Sequence, residues 1–470
     1  MNWTLLQHSL LVSGLAVAGS VAVGFAGALW LAGIHAAWRR RLVLLAVLAL
    51  AMPPFLVTNC WLDLLGLNGR WRGWWPFDIY SPWGAAWILT LLTWPIPLLA
   101  TLGAWRRLQA SQLESDPALC GWPLIRWLLW PMARLAVGQA AVLTFVLALN
   151  HFTVPALLQV KVFPAEVWLR FSTHFDAAGA LMLSWPLIAA PLCLLLVLRR
   201  TEIDWPRIEG EPTARALRRQ LGPGWQTGCG TVAGLAILLS VALPLAQLAA
   251  TPRTWMELPR LLQAAPGVVW NSFGFAAVTA TLCVVLGLLT WRLRIGLILW
   301  LPFLVPGVLL GIAMILLFNR PVLDVVYRSA AVVVVGFTAR YLGFAWNGVA
   351  HALRRVDRDL VDAARLEGAS AWQVLRSVRW PLAAPQVAAA WYVTYLLCLW
   401  DVETLVLIVP PGGETLALRV FNLLHYGHNA QVNALCVVLL GLALAPLGVA
   451  GIARSVARDR NSQEPMAKSQ

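Results

Sequence analysis

The chain has 470 residues, 60% of them hydrophobic and only 12% charged, with a mean hydropathy of +0.72. No soluble domain has enough polar surface to cover so many long apolar runs, so a polytopic membrane protein is expected. The formal charge of +14 comes from short arginine clusters between apolar runs, the pattern of loops that hold a topology in lipid, so nucleic acid is not an expected partner.

Apolar runs of roughly 20 residues lie near 10–34, 42–65, 84–104, 130–150, 178–198, 231–250, 270–290, 296–318, 330–349, 384–407 and 433–453, which predicts eleven spans. The first run is too long for a signal h-region and is followed by Arg39, Arg40 and Arg41, so it is expected to remain as a span. Placing those arginines in the cytoplasm puts the N-terminus outside and the C-terminus inside. The segments 105–129, 199–226, 291–295, 350–381 and 454–470, which hold most of the arginines, then fall on the inner side as well.

Two short matches join distant parts of the chain. "PFLV" at 54–57 recurs at 302–305, and "WPLIRWLLWP" at 122–131 recurs as "WQVLRSVRWP" at 372–381, at offsets of 248 and 250 residues. They predict two homologous halves. With five spans in the first half, an extra helix near 231–250 is needed to give both halves the same orientation, a parallel repeat about an axis along the membrane normal. The expected organisation is a first half at 1–198, a cytoplasmic linker at 199–228, a second half of six spans at 229–455 containing a polar loop at 350–381, and a cytoplasmic tail at 456–470. Pro53, Pro54, Pro302 and Pro306 are expected to break helices inside the membrane, either along a substrate pathway or for packing alone.

Several polar residues stand out along the second half. Arg340 lies far from the ends of its span, where an arginine costs at least ~2.5 kcal/mol to insert. It either faces a pathway, or snorkels to an interface or pairs with a helix-end carbonyl to hold the bundle. Asp401 and Glu403, with Glu414, fall at or beyond the outer end of the tenth span, where ordinary solvation competes with contact to a delivered cation or a binding protein. His151, His174, His425 and His428 lie on the outer side without regular ligand spacing and read as loop or interface histidines. The seven cysteines are scattered with no C-x-x-C, so buried thiols are expected, with no metal site, disulfide framework or cofactor.

The stretch "DAARLEGASAWQVLRSVRWP", 362–381, is too polar for its surroundings. Asp362, Ala363, Ala364, Gly368 and Ala369 put an acid and small side chains on a short helix, Trp372, Val374, Leu375 and Val378 give the following turn an apolar side, and Pro381 is expected to stop the helix. This stretch resembles the EAA loop of binding-protein-dependent ABC transporter permeases: Glu-Ala-Ala, three residues, Gly, nine residues, then Ile-x-Leu-Pro. Here those places hold Asp362-Ala363-Ala364, Gly368 and Val378-Arg379-Trp380-Pro381. The resemblance implies an all-α MetI-like ABC permease fold in which this segment, with Arg376, is the coupling helix that docks on a cytoplasmic ATPase. The first-half copy keeps Trp122, Arg126 and Pro131 but has no Glu-Ala-Ala, and Ala118 stands where Gly368 would map, so its coupling is expected to be degenerate.

A second resemblance lies at "DVETLVLIVPPGGETLALRVFNLLHYG", 401–427, which is similar to a segment of the fused, two-half permeases of ferric-iron uptake. The features shared are Glu403, Thr404, Leu405, Pro411, Gly412, Thr415, Leu416, Ala417 and Arg419. The resemblance implies an importer of ferric iron, with thiamine or a phosphonate as alternatives on the same architecture. It also implies two cytoplasmic ABC ATPase subunits and a periplasmic or lipid-anchored binding protein as partners in a bacterial inner membrane. No Gly-x-x-x-x-Gly-Lys-Ser/Thr occurs, so ATP hydrolysis is expected of a separate subunit and no enzyme activity of this chain. An ion-coupled secondary transporter is the rival reading, but its spans would need mid-membrane acids that the sequence does not clearly supply.

Overall fold

A computed structural model describes residues 3–467 apart from 68, 74–77, 106–107, 117, 175–178, 180–183, 186–187, 190–191, 193–210, 294 and 426–428. Every regular element among the described residues is a helix. In lipid this is the form in which a single segment satisfies its own backbone groups. The chain is an all-α polytopic membrane protein.

Among the described residues, seven helices are long and apolar enough to cross a bilayer: Trp3–Ala32, Trp122–Asn150, Thr213–Ala250, Pro266–Thr290, Ala331–Arg354, Ala371–Trp400 and Gln431–Gly451. Two pairs reach that length only across a bend, Ala36–Ala51 with Pro54–Leu65 at 84° and Pro82–Thr93 with Pro95–Ala104 at 43°. The bend between Ala51 and Pro54 falls at Pro53, where the sequence leads one to expect a break. The run at 296–318 is divided into Gly296–Leu299, Leu301–Leu304 and Gly307–Phe318. The last is only about 18 Å long, against a hydrocarbon core of about 30 Å. The expected span at 178–198 lies, but for isolated positions, outside the described residues.

Proline causes the sharpest breaks. Met52 (ψ 129) and Val305 (ψ 135) are extended because the rings of Pro53 and Pro306 crowd the helical conformation of the residue before them. Pro53 and Pro306 then sit as caps before the helices Pro54–Leu65 and Gly307–Phe318. The tetrapeptides at 54–57 and 302–305 therefore do not occupy matching places: the first follows a break and the second precedes one.

A different device absorbs three other prolines. π-helical turns at Ile125–Leu129, Leu238–Ala242 and Val374–Arg379 are followed two places on by Pro131, Pro244 and Pro381. The N–H groups of Trp130, Leu243 and Trp380 reach back five residues, to Ile125, Leu238 and Leu375. The wider turn makes room for a ring that would otherwise strike the preceding carbonyl. Pro381 thus does not stop the helix as expected; it lies inside one continuous rod, Ala371–Trp400, about 45 Å long. Pro131 lies likewise inside Trp122–Asn150.

Close packing uses small residues, as association in lipid requires. A Cβ at Gly24 would come within 2.7 Å of the Trp94 carbonyl, and one at Gly348 within 2.7 Å of Ala390. Trp3–Ala32 packs on the bent pair 82–104 and on Trp130–Asn150, while Pro266–Thr290 packs on Ala331–Arg354 and Trp380–Trp400. Of the linker expected at 199–228, the part from 211 onward is helical, in Glu211–Ile237 with an interruption at Gly222 (φ 82, ψ 163). The expected tail is also helical as far as Ala467, continuing Asn429–Ala467.

Candidate functional site

At the N-terminal end of the rod Ala371–Trp400 stands a short polar helix. Asp357 opens it by accepting from the Asp359 N–H, and Arg358–Leu366 follows. Gly368 has φ 81, a left-handed conformation that glycine adopts without steric cost. Ser370 and Gln373 then cap the rod reciprocally. Val356, Val361 and Val374 are buried between the two helices, with Ala364, Ala369 and Val378 against them. Asp362, Ala363 and Arg376 face outward, and Asp362 meets Arg365 at 3.5 Å in water. Leu360 and Leu366 are 50% and 89% exposed, and Trp372 is 66% exposed. Trp372 was expected on the packed side; two residues from Val374 it lies on the opposite face of the helix. Apolar knobs on a short polar helix match the way a helix seats in a groove of a partner.

At the C-terminal end of the same rod the three candidate pathway residues meet one another. Arg340 is buried, and its Nη1 donates to both oxygens of Asp401 (3.2 and 3.1 Å) and to Thr404 Oγ1 (2.7 Å). Its Nη2 donates to Glu403 Oε2 at 2.8 Å. Tyr341 donates to Asp401 at 2.8 Å, and the Thr404 N–H and hydroxyl close the ring around the same carboxylate at 2.9 and 2.8 Å. Asp401 and Glu403 are therefore not solvated loop acids, as was the stronger expectation; they are buried partners of Arg340. Arg340 does not reach an interface or a helix-end carbonyl either. A forked guanidinium between two carboxylates is the arrangement that makes a buried charge tolerable.

This cluster also touches the N-terminal part of the chain. The Phe152 N–H donates to Glu403 Oε1 at 3.0 Å, Asn150 Nδ2 donates to the Leu304 carbonyl at 3.2 Å, and the rings of Phe152 and Phe421 meet edge to face at 5.5 Å. Asn59 and Asn433 are joined at 2.8 Å in the same manner. Between the two parts lies a cavity of about 170 Å³ lined by Asn150, His151, Phe303, Arg340, Trp400 and Glu403 among others. Asn150 Oδ1 and Arg340 Nε are buried without a hydrogen-bond partner. Glu414 stands apart, 3.8 Å from Arg419, and His428 lies outside the described residues.

Gly307 is what lets Arg340 reach its partners: a Cβ there would overlap the guanidinium and come within 2.8 Å of Glu403 Cβ. Gly307→Ala is expected to destabilise the protein by about 1–3 kcal/mol, read as a lower thermal midpoint in detergent. Gly274→Ala, with open space around it, should be neutral or stabilising by up to about 1 kcal/mol. Equal midpoints for the two variants would contradict the packing described.

Sequence reasoning missed Gly307, Tyr341 and Phe152. The signal for Gly307 was its place directly after Pro306, where a helix restarts. Tyr341 neighbours Arg340 and carries a hydroxyl that must be paired when buried. Nothing in the sequence marks Phe152, because what it gives Glu403 is its backbone N–H. In the degenerate first-half segment, Trp122 is exposed, Arg126 lies over Trp127 at 5.1 Å, and the left-handed glycine is Gly121 (φ 61), three residues beyond Ala118.

Residues 284–453 match the family described as binding-protein-dependent transport system inner membrane component. PhnV of Salmonella paratyphi A, a permease protein named for 2-aminoethylphosphonate transport, is 26% identical over 245 residues, covering 47% of this chain and 92% of the relative. PotC of Escherichia coli K12, named as a spermidine/putrescine transport system permease protein, is 29% identical over 194 residues, covering 39% of this chain and 71% of the relative. Each relative is matched over most of its own length by less than half of this chain.

Proposed function

Residues 284–453 belong to the inner membrane components of binding-protein-dependent transport systems, which makes this chain an ABC transporter permease, and we propose that it supplies both membrane halves of an importer. Each half corresponds to one whole relative, as the coverage of PhnV and the paired π turns before Pro131 and Pro381 support. In this reading two cytoplasmic ATPase subunits dock from below, and a periplasmic or lipid-anchored binding protein delivers solute from outside. The N-terminus is outside and the C-terminus in the cytoplasm.

The observation that carries the proposal is a single rod joining the two candidate regions. Its inner end, at Ser370, is tied to the exposed helix Arg358–Leu366, and its outer end runs straight into Asp401. An ATPase that closes on Leu366 moves the rod, and a rigid helix passes that displacement to the Arg340 cluster about 45 Å away. Breaking Glu403 from Phe152 then opens the outer side. Two discrete arrangements of one packed element are what alternating access needs. The chain itself makes and breaks no covalent bond in this cycle.

For the solute, we favour a small amine-bearing molecule of the 2-aminoethylphosphonate kind, since both named relatives are named for solutes that carry amines. Ferric iron is the second reading, supported by the pattern at 401–427. That support is weakened because Glu403 and Thr404 hold Arg340 while Leu405, Leu416 and Ala417 are core residues. Affinity purification from native membranes tests the assignment: a nucleotide-hydrolysing subunit should accompany the tagged chain, and its isolation alone would sink it. Deleting the gene should abolish growth on 2-aminoethylphosphonate as phosphorus source and leave iron-limited growth intact; the reverse outcome selects iron.

A further inference from the structure

The two inner loops are covered differently. In the second half no described residue covers Leu360 and Leu366 on the outer face of Arg358–Leu366, and both are exposed. In the first half the loop ahead of Trp122 holds only the five-residue helix Ala110–Glu114. Its one large apolar side chain, Leu113, is 1% exposed. The element packed against it is the linker helix, the first part of Glu211–Ile237, where Ala214, Leu217 and Leu221 are buried. Gln220 ties the two chemically: its Nε2 donates to the Leu113 carbonyl, and its own carbonyl accepts from the Gly121 N–H at 2.9 Å. One turn further on, the indoles of Trp225 and Trp122 stack at 6.1 Å with 17° between the planes.

We infer that the linker helix is a built-in strap on the first-half docking loop. It turns Leu113 inward and leaves Ser111, Gln112 and Glu114 as the outward surface. An ATPase subunit on this side meets Trp122, exposed but stacked on Trp225, and no exposed leucine among the described residues, whereas its twin meets Leu360, Leu366 and Trp372. Truncating such apolar anchors is what costs most at protein interfaces, so the two grips differ in strength and the second half takes the larger share of the stroke. The first half follows through the strap, because beyond the turn at Gly222 the chain continues as residues 223–250, and the helix Glu211–Ile237 packs along Trp3–Ala32. This inference rests on the ATPase-docking reading above.

The test is site-specific photocrosslinking in the assembled complex, with benzoylphenylalanine placed at Ser111 or at Leu366. The expected result is an ATPase adduct at 366 and about tenfold less at 111, the ratio that ~1.4 kcal/mol of docking energy gives. Gln220→Ala combined with Trp225→Ala removes the strap and should raise the adduct at 111 at least about threefold. Equal adducts at both positions in the otherwise unaltered chain, or no rise on removing the strap, overturn the strap and leave the permease assignment standing. No adduct at either position overturns the docking reading itself, and the strap with it.

Discussion

Arg340→Ala is expected to cost about 3–5 kcal/mol of stability and to abolish uptake. The cause is what it leaves behind rather than what it removes. Asp401 is buried and would keep only Tyr341 and Thr404 as donors, and Glu403 would keep only the Phe152 N–H. Two carboxylates a few residues apart, without a cation, cannot both stay charged in a low-dielectric site. Arg340→Ala combined with Asp401→Asn and Glu403→Gln should recover most of the stability, because no uncompensated charge remains. It should not recover transport if the ionic junction between Glu403 and the Phe152 region is the outer gate. The thermal midpoint in detergent and solute uptake in vesicles read the two effects separately. An Arg340→Ala protein as stable as the parent would refute the electrostatic account, and full transport by the triple variant would refute the gate.

Gly368→Arg should detach the ATPase while leaving the permease folded. Within the chain, the space beside Gly368 is open, with no atom within 4 Å of a built Cβ. The intramolecular cost is therefore confined to the left-handed backbone, about 1–2 kcal/mol for a residue with a side chain. An arginine there projects from the turn between Arg358–Leu366 and the rod, into the space a docked subunit fills. Copurified ATPase should fall at least about tenfold. Gly368→Ala separates the two causes, since it carries the backbone strain without the bulk and should lose much less. If Gly368→Arg retains the ATPase fully, this turn is not the docking point.

The sequence alone was enough for the class of fold. Apolar runs, arginine clusters and the spacing Asp362, Gly368, Pro381 are local properties, and lipid permits so few backbone solutions that local pattern translates into helices. Breaks within apolar runs were legible too, because Met52 and Val305 are as apolar as their neighbours and the proline after each turns the chain aside. Pro381 was in turn overread, because a π turn accommodates its ring and the helix continues.

What belonged to the tertiary structure was pairing. Arg340 was conspicuous, and so were Asp401 and Glu403, yet their 61 residues of separation carry no sign that they share one set of hydrogen bonds. Leu113 and Gln220 are 107 residues apart, and neither is unusual in its own segment. One-dimensional order records what each residue prefers as a solvent; which preference is met by which distant neighbour depends on how helices cross, and that is decided only when the whole bundle packs.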